Sequence, residues 1–213
     1  MKLYNLDHSP YSTRVRMQIY AARLEVDIEP PPVELGTPEF NERFPLAKIP
    51  VLELDDGGYL GDSWVIMEYL EDMGPAPRLR PEDVLQRSQM LMLARCADTC
   101  LGPAGIAPLF ANVQNAGGQD NGDMLEALDK ELGRLERLLG YLPDFEDRGL
   151  TLGDITLVPH MDYALLLAPM FGLSQPLANY PRVEAWHRWA LGHEPIARGS
   201  GEMHTAVKAF FGG

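Results

Sequence analysis

Ile49-Pro50-Val51-Leu52-Glu53-Leu54, Asp55-Asp56-Gly57-Gly58, Tyr59-Leu60 and Asp62-Ser63 come in close order in the first third of a 213-residue chain. The first run is a strand that starts on a proline, the second a turn, the third the returning strand of a hairpin. Asp62-Ser63 then caps a helix that carries Val65, Ile66, Tyr69 and Leu70. Upstream, Leu3-Tyr4-Asn5-Leu6 reads as a short strand. Ser9 and Pro10 open a helix that runs to about Arg23, with Val15, Ile19 and Ala22 on one face. Val26-Asp27-Ile28 alternates like a strand but runs into Pro30-Pro31-Pro32. Proline cannot donate to a ladder, so this strand belongs on a sheet edge. Thr37-Pro38-Glu39 has proline at a first helical position. The order is β-α-β-(α)-β-β-α, a compact unit closed by Gly74-Pro75-Ala76-Pro77 as a linker.

Downstream of the linker the pattern is helical, with no convincing strand. Helical stretches cover about Glu82 to Leu101 and Gly122 to Leu142. Gly102-Pro103-Ala104-Gly105 and Pro108 should bend or break the chain just after the first stretch. Asn115 to Asp120 is a loop. Thr151-Leu152-Gly153-Asp154 opens a very apolar helix, Ile155 to about Phe171. Tyr180-Pro181 opens another through Trp186 and Trp189, and Pro195 follows its end. An α/β unit followed by an all-helical unit predicts two domains, residues 1–77 and 78–213.

The composition narrows the partners. With 18 basic and 31 acidic residues the formal charge is −13. A body this acidic repels nucleic acid and anionic membranes, so neither is expected as a partner. No apolar run reaches the roughly 18 residues needed to span a bilayer. The first seven residues turn polar too quickly for a signal peptide. Cys96 and Cys100 are the only cysteines, four apart on a helix. They give no disulfide framework, which fits a reducing cytoplasm. Both read as helix packing residues, with a place beside a second substrate as the lesser alternative. The five histidines show no metal spacing, so no metal is expected. Asp7-His8-Ser9 spells a triad in letters only, because adjacent side chains do not converge in triad geometry.

Three places carry chemistry. Ser9-Pro10-Tyr11-Ser12 sits where a strand turns into a helix, with free N–H groups and the positive end of a dipole. A thiolate or carboxylate is favoured there, although Ser9 reads equally as a simple cap. A cis bond at Ile49-Pro50 would leave the backbone of Ile49 free for a peptide ligand; a trans proline at a strand start is the alternative. Asp62-Ser63 at a helix start can take a carboxylate through N–H groups and the hydroxyl, and an ammonium through the Asp side chain. A free α-amino acid group has both charges. Capping alone would also explain the pair.

The order and spacing of these elements add specificity. Ser9-Pro10-Tyr11-Ser12-Thr13-Arg14-Val15-Arg16, then Lys48-Ile49-Pro50-Val51-Leu52, then Asp62-Ser63-Trp64-Val65-Ile66-Met67-Glu68-Tyr69-Leu70-Glu71 resemble the cytosolic glutathione transferase family, in a bacterial-type, serine-class-like form. Leu150-Thr151-Leu152-Gly153-Asp154-Ile155 resembles the family's capping box before a buried central helix, with Thr151 capping and Asp154 answering. Tyr180-Pro181-Arg182-Val183-Glu184-Ala185-Trp186 resembles its late helix. The resemblance runs from about residue 2 to 198.

The resemblance implies an α/β thioredoxin-like N-terminal domain and an all-α C-terminal domain, in a cytoplasmic homodimer that serves detoxification. It implies glutathione as co-substrate and a small, hydrophobic electrophile as second substrate, in a pocket around Ser9 to Ser12 and the helix after Glu82. The γ-glutamyl end would lie at Asp62 and Ser63, and the cysteinyl part at Ile49 before a cis Pro50. Lys48 would be near the glycyl carboxylate. Ser9 takes the place of the catalytic residue, its hydroxyl donating to the sulfur. Tyr11 is a lesser rival and Ser12 a minor one. Tyr4, inside the first strand, reads as structural. Asp62 departs from the family's frequent Glu or Gln. Conjugation, ether or halide displacement and cis–trans isomerisation all begin with the same thiolate and stay open, as does a non-catalytic binding module. Ser9 in place of cysteine argues against thiol-disulfide chemistry, since no protein nucleophile is there to form the mixed disulfide.

Overall fold

A computed structural model describes residues 1–74, 78–114 and 120–211. The linker expected at 75–77 and the loop expected at 115–119 lie outside the described residues. The first elements are β1 (Lys2–Tyr4), α1 (Pro10–Ala22), β2 (Asp27–Glu29), α2 (Pro38–Arg43), β3 (Val51–Glu53), β4 (Tyr59–Gly61) and α3 (Ser63–Met73). They form one four-stranded sheet in the order β2-β1-β3-β4, the thioredoxin-like arrangement. β1 and β2 are parallel, with Leu3 opposite Ile28; β1 and β3 are antiparallel, with Leu3 opposite Leu52. The proline-flanked β2 is an edge strand, as the missing donors require.

β1 is shorter than its apolar pattern. Asn5 still donates to Glu29 O, but Leu6 N turns to Ser12 Oγ, 3.4 Å away. Polar side chains therefore end the strand before its apolar residues do. One cluster beside the sheet is Tyr4, Phe40, Phe44 and Val51, with Val33 and Ile49 packed on it. α1 is buried well beyond its apolar stripe: Arg14, Arg16 and Gln18 are all enclosed. Gln18 Nε2 donates to Met67 O at 2.8 Å, tying α1 to α3.

The helical elements beyond α3 are α4 (Val84–Cys96), a π-helical segment (Ala97–Ile106), α5 (Ala107–Gln114), α6 (Asn121–Tyr141), α7 (Leu152–Leu167) with a 3₁₀ turn (Ala168–Phe171), α8 (Pro181–Leu191) and α9 (Glu194–Phe211). Of the bend or break expected around Gly102-Pro103, no break occurs. The chain stays helical from Val84 to Gln114 because the wider π turn absorbs the proline that a regular α-helix would reject. Gly102 also sits so that an added Cβ would lie 3.1 Å from the His160 ring. Pro108 falls at the junction where the π segment passes into α5. α7 is buried from Leu152 through Ala164. At its start an added Cβ on Gly153 would collide with Met90 O, so only glycine allows this approach. Pro195 follows the end of α8 as expected, and it lies in the first turn of a further helix, α9, that the sequence reading does not include.

Packing divides the chain into two units, Met1–Leu79 with Arg198–Gly213, and Arg80–Ala197. The division after Leu79 lies beside the boundary expected at 77/78. The C-terminal end differs from the expectation, since residues from Arg198 onward belong with the sheet. The reason is local: Gly199 lies against Met17, Glu202 receives the Tyr20 hydroxyl, and Phe210 stacks on His8. Among the described residues, no helix is long and apolar enough to cross a membrane.

Candidate active site

Ser9 is the N-cap of α1, in extended conformation, and its Oγ accepts from Ser12 N at 3.3 Å. Its carbonyl accepts from Thr13 N and from Thr13 Oγ1 at 2.8 Å. The cap hydrogen bond uses Ser9 Oγ as acceptor and leaves its hydroxyl proton to donate. Ser12 is fully buried and faces Leu6 N, back into the loop between β1 and α1. Tyr11 is exposed, with the Arg14 guanidinium 5.1 Å from its ring centre.

Tyr4 sits in the sheet and donates to Glu53 Oε2. That hydrogen bond, helped by burial, pushes its hydroxyl up to about 12. A phenol whose proton is committed to a carboxylate is a poor donor to anything else. His8 precedes Ser9 and is stacked on Phe210, ring centres 4.4 Å apart. Burial lowers its pKa below the usual histidine value, against a weaker opposing pull from Asp7.

Just before β3, the Ile49-Pro50 bond is cis. Pro50 is buried, Ile49 half-buried and Lys48 exposed. After β4 the backbone of Asp62 is held at φ 66° and ψ 120°, a region that non-glycine residues rarely occupy. Such strain clusters at ligand sites. It lets Asp62 Oδ1 accept from Trp64 N at 2.9 Å and Val65 N at 3.2 Å while the carboxylate stays exposed. Ser63, the first residue of α3, is buried. Its Oγ accepts from Arg14 Nε at 2.9 Å and from Arg14 Nη2. Arg14 is itself only 2% exposed. The structure thus joins the helix starts of α1 and α3 through one guanidinium.

Residues 3–78 match the model for the glutathione S-transferase N-terminal domain. Its N-terminal domain belongs to the glutathione S-transferase family. The chain is 35% identical over 127 residues to the maleylacetoacetate isomerase of Rattus norvegicus, covering 56% of this chain. It spans about half of that relative's length, 55%. To the maleylacetoacetate isomerase of Pseudomonas aeruginosa it is 29% identical over 210 residues, 91% of this chain and 92% of the relative. Among solved structures, a glutathione S-transferase from Methylobacillus flagellatus with GSH bound superposes with a TM-score of 0.75 at 26% identity, over 93% of this chain and 98% of that one.

Two residues of this chain escape a reading of its sequence as a site, Arg14 and Arg16. Both look like the polar face of an amphipathic helix. Their partners, Ser63 for Arg14 and Asn5 and Asp7 for Arg16, follow no local spacing that would mark them in the sequence. Among the described residues, no group of three or more His, Cys, Asp or Glu could hold a metal. Cys96 is buried and its thiol is pushed up to about 12, mainly by that burial, so it is inert as a nucleophile.

Proposed function

We propose that this chain binds glutathione along the starts of α1 and α3 and activates its sulfur for attack on a small electrophile. The observation that carries the reading is the pairing of donor and acceptor at Asp62 and Ser63. The Ser63 hydroxyl accepts twice from Arg14, which leaves its proton to donate. An α-carboxylate is a fitting acceptor, and the first N–H groups of α3 reinforce it. Asp62 uses one carboxylate oxygen on its own helix and presents the other to an ammonium. A γ-glutamyl head has these two charges on one carbon. Lys48 suits the glycyl carboxylate, and the segment at Ile49 and Pro50 suits the cysteinyl backbone.

At the other end, Ser9 holds its hydroxyl at the positive end of α1. The hydroxyl donates to the sulfur and stabilises thiolate over thiol. Tyr11 and Ser12 are the lesser candidates for that contact. The burial of Ser12 makes it the weaker of the two. The thiolate then attacks the bound electrophile, with proximity supplying most of the acceleration. A second reading, isomerisation, draws support from the names of the relatives. Thiolate adds to a cis double bond conjugated to a carbonyl, the new single bond rotates, and the thiolate leaves, returning glutathione unchanged. We also propose the homodimer, with sedimentation as its check.

The test is glutathione calorimetry, ultraviolet titration of the bound thiolate, and turnover of two probes, an aryl halide and a cis-enedioic ketone. Ser9→Ala should raise the pKa of the bound thiol and leave affinity nearly unchanged. If Tyr11→Phe moves the titration and Ser9→Ala does not, the sulfur contact belongs to Tyr11. If glutathione does not bind at all, a non-catalytic module is the better reading.

A further inference from the structure

Arg16 lies two residues beyond Arg14 and its side chain is 1% exposed. Its fork holds the loop that leads to Ser9. Nη1 donates to Asn5 Oδ1 at 3.0 Å and to Asp7 Oδ1 at 2.7 Å. Nη2 donates to Asp7 O and to Thr13 Oγ1, each at 3.0 Å. The same Thr13 hydroxyl donates to the Ser9 carbonyl at 2.8 Å. A hydrogen-bond chain therefore runs from the guanidinium to the backbone of Ser9.

The remaining edge of Arg16 faces the C-terminal helix, with Nε 3.5 Å from Glu202 Oε2. Glu202 is fixed in turn. It accepts from the Tyr20 hydroxyl at 3.0 Å and from Arg198 Nε at 3.1 Å, and Arg198 lies 3.8 Å over the Tyr20 ring. Gly199 brings this part of α9 close to α1: an added Cβ would sit 2.6 Å from Met17 Cγ. At the far end of α9, Phe210 stacks on His8, the residue before Ser9.

We propose that Arg16 and Glu202 form a positioning pair through which the C-terminal helix sets the geometry of Ser9. Arg16 holds the loop through Asn5 and Asp7, and Phe210 stacks on His8. Glu202 balances the buried guanidinium so that its fork stays aimed at Asn5, Asp7 and Thr13. The role rests on the glutathione reading of Ser9, because what it sets is the line from that hydroxyl to the sulfur. Small displacements of such a line are expensive: about 1 Å can cost on the order of 10²-fold in rate. Neither residue touches the γ-glutamyl contacts at Asp62 and Ser63, so their loss separates turnover from affinity.

The test uses the full-length protein with Glu202→Gln, whose half-exposed side chain tolerates the change, and Arg16→Lys, which keeps the charge and loses the fork. Thiolate titration, kcat, KM for glutathione and amide exchange at residues 5–9 are measured for each. Glu202→Gln should raise the pKa of bound glutathione and lower kcat about tenfold, with KM changed less than about threefold. Exchange at residues 5–9 should quicken while β3 stays protected. Arg16→Lys should do the same more strongly. An unshifted titration curve and unchanged kcat in Glu202→Gln overturn the proposal, as does a loss confined to KM. If the wild-type protein gives no bound thiolate, the glutathione reading falls and this role with it. Faster exchange in Glu202→Gln would then mark the clamp as purely structural.

Discussion

Removing the Ser63 hydroxyl tests both the fold and the site. Read from sequence, Ser63 is a residue at a helix start. In the structure it is the acceptor for two N–H groups of a guanidinium that is 2% exposed. A hydrogen bond to a charged donor contributes about 1.5–3 kcal/mol. The two bonds share one oxygen, so their contributions do not add fully, and Arg14 retains its stacking with Tyr11. Ser63→Ala should therefore destabilise the folded state by about 2–3 kcal/mol. The lost donor should separately weaken glutathione binding by about 1–3 kcal/mol, or roughly 5- to 150-fold in Kd. Urea denaturation reads the first effect and calorimetry on the folded fraction the second. Ser63→Thr restores the oxygen and should recover most of both. An unshifted denaturation midpoint in Ser63→Ala would refute the buried contact. A shifted midpoint with unchanged affinity would leave the contact and remove Ser63 from the glutathione site.

Asp154→Ala should cost about 3–5 kcal/mol, beyond the 0.5–2 kcal/mol expected of a lost cap. The fully buried carboxylate receives Trp186 Nε1 at 2.9 Å and both ends of Arg148 as well as Thr151, and a loss below about 2 kcal/mol by denaturation would contradict that network. His8 should make stability fall at mildly acid pH. Its folded pKa is lowered by burial, so the unfolded chain binds more protons below the ordinary value of 6.5, and stability present above that value is lost as the pH drops through the window beneath it. Thermal midpoints across that range should lose this component in His8→Gln; an identical slope in the variant would show that another group is responsible.

The sheet was legible because its signals are local. A proline run after Val26-Asp27-Ile28 dictates an edge, and Asp55-Asp56-Gly57-Gly58 dictates a hairpin, whatever surrounds them. The capping box at Thr151 and Asp154 was legible for the same reason, as a short pattern with a fixed geometry. The π segment was not. Gly102 and Pro103 read as breakers because helix propensity counts only the α register, whereas packing against His160 rewards a helix that widens. α9 was not legible either, because Pro195 is equally at home just after one helix and in the first turn of the next.

The site divides along the same line. Ser9, Asp62 and Ser63 stand at helix starts, where sequence marks a change of backbone direction. The groups that aim them stand elsewhere. Arg14 reaches Ser63 across 49 positions in the chain, and Arg16 meets a glutamate in the last helix. No periodicity encodes such pairs, since a buried arginine and a solvated one occupy the same place in a helical pattern. Burial without a partner would cost several kcal/mol, so each enclosed guanidinium demands acceptors that only the tertiary fold identifies. In this chain the acceptors include the candidate site residue Ser63 and the loop that leads to Ser9. Replacing Arg14 or Arg16 by a well-packed apolar residue should therefore spare the core more than it spares the placement of Ser9 and Ser63. A variant that stayed folded yet lost thiolate formation would separate the two functions that these buried charges combine.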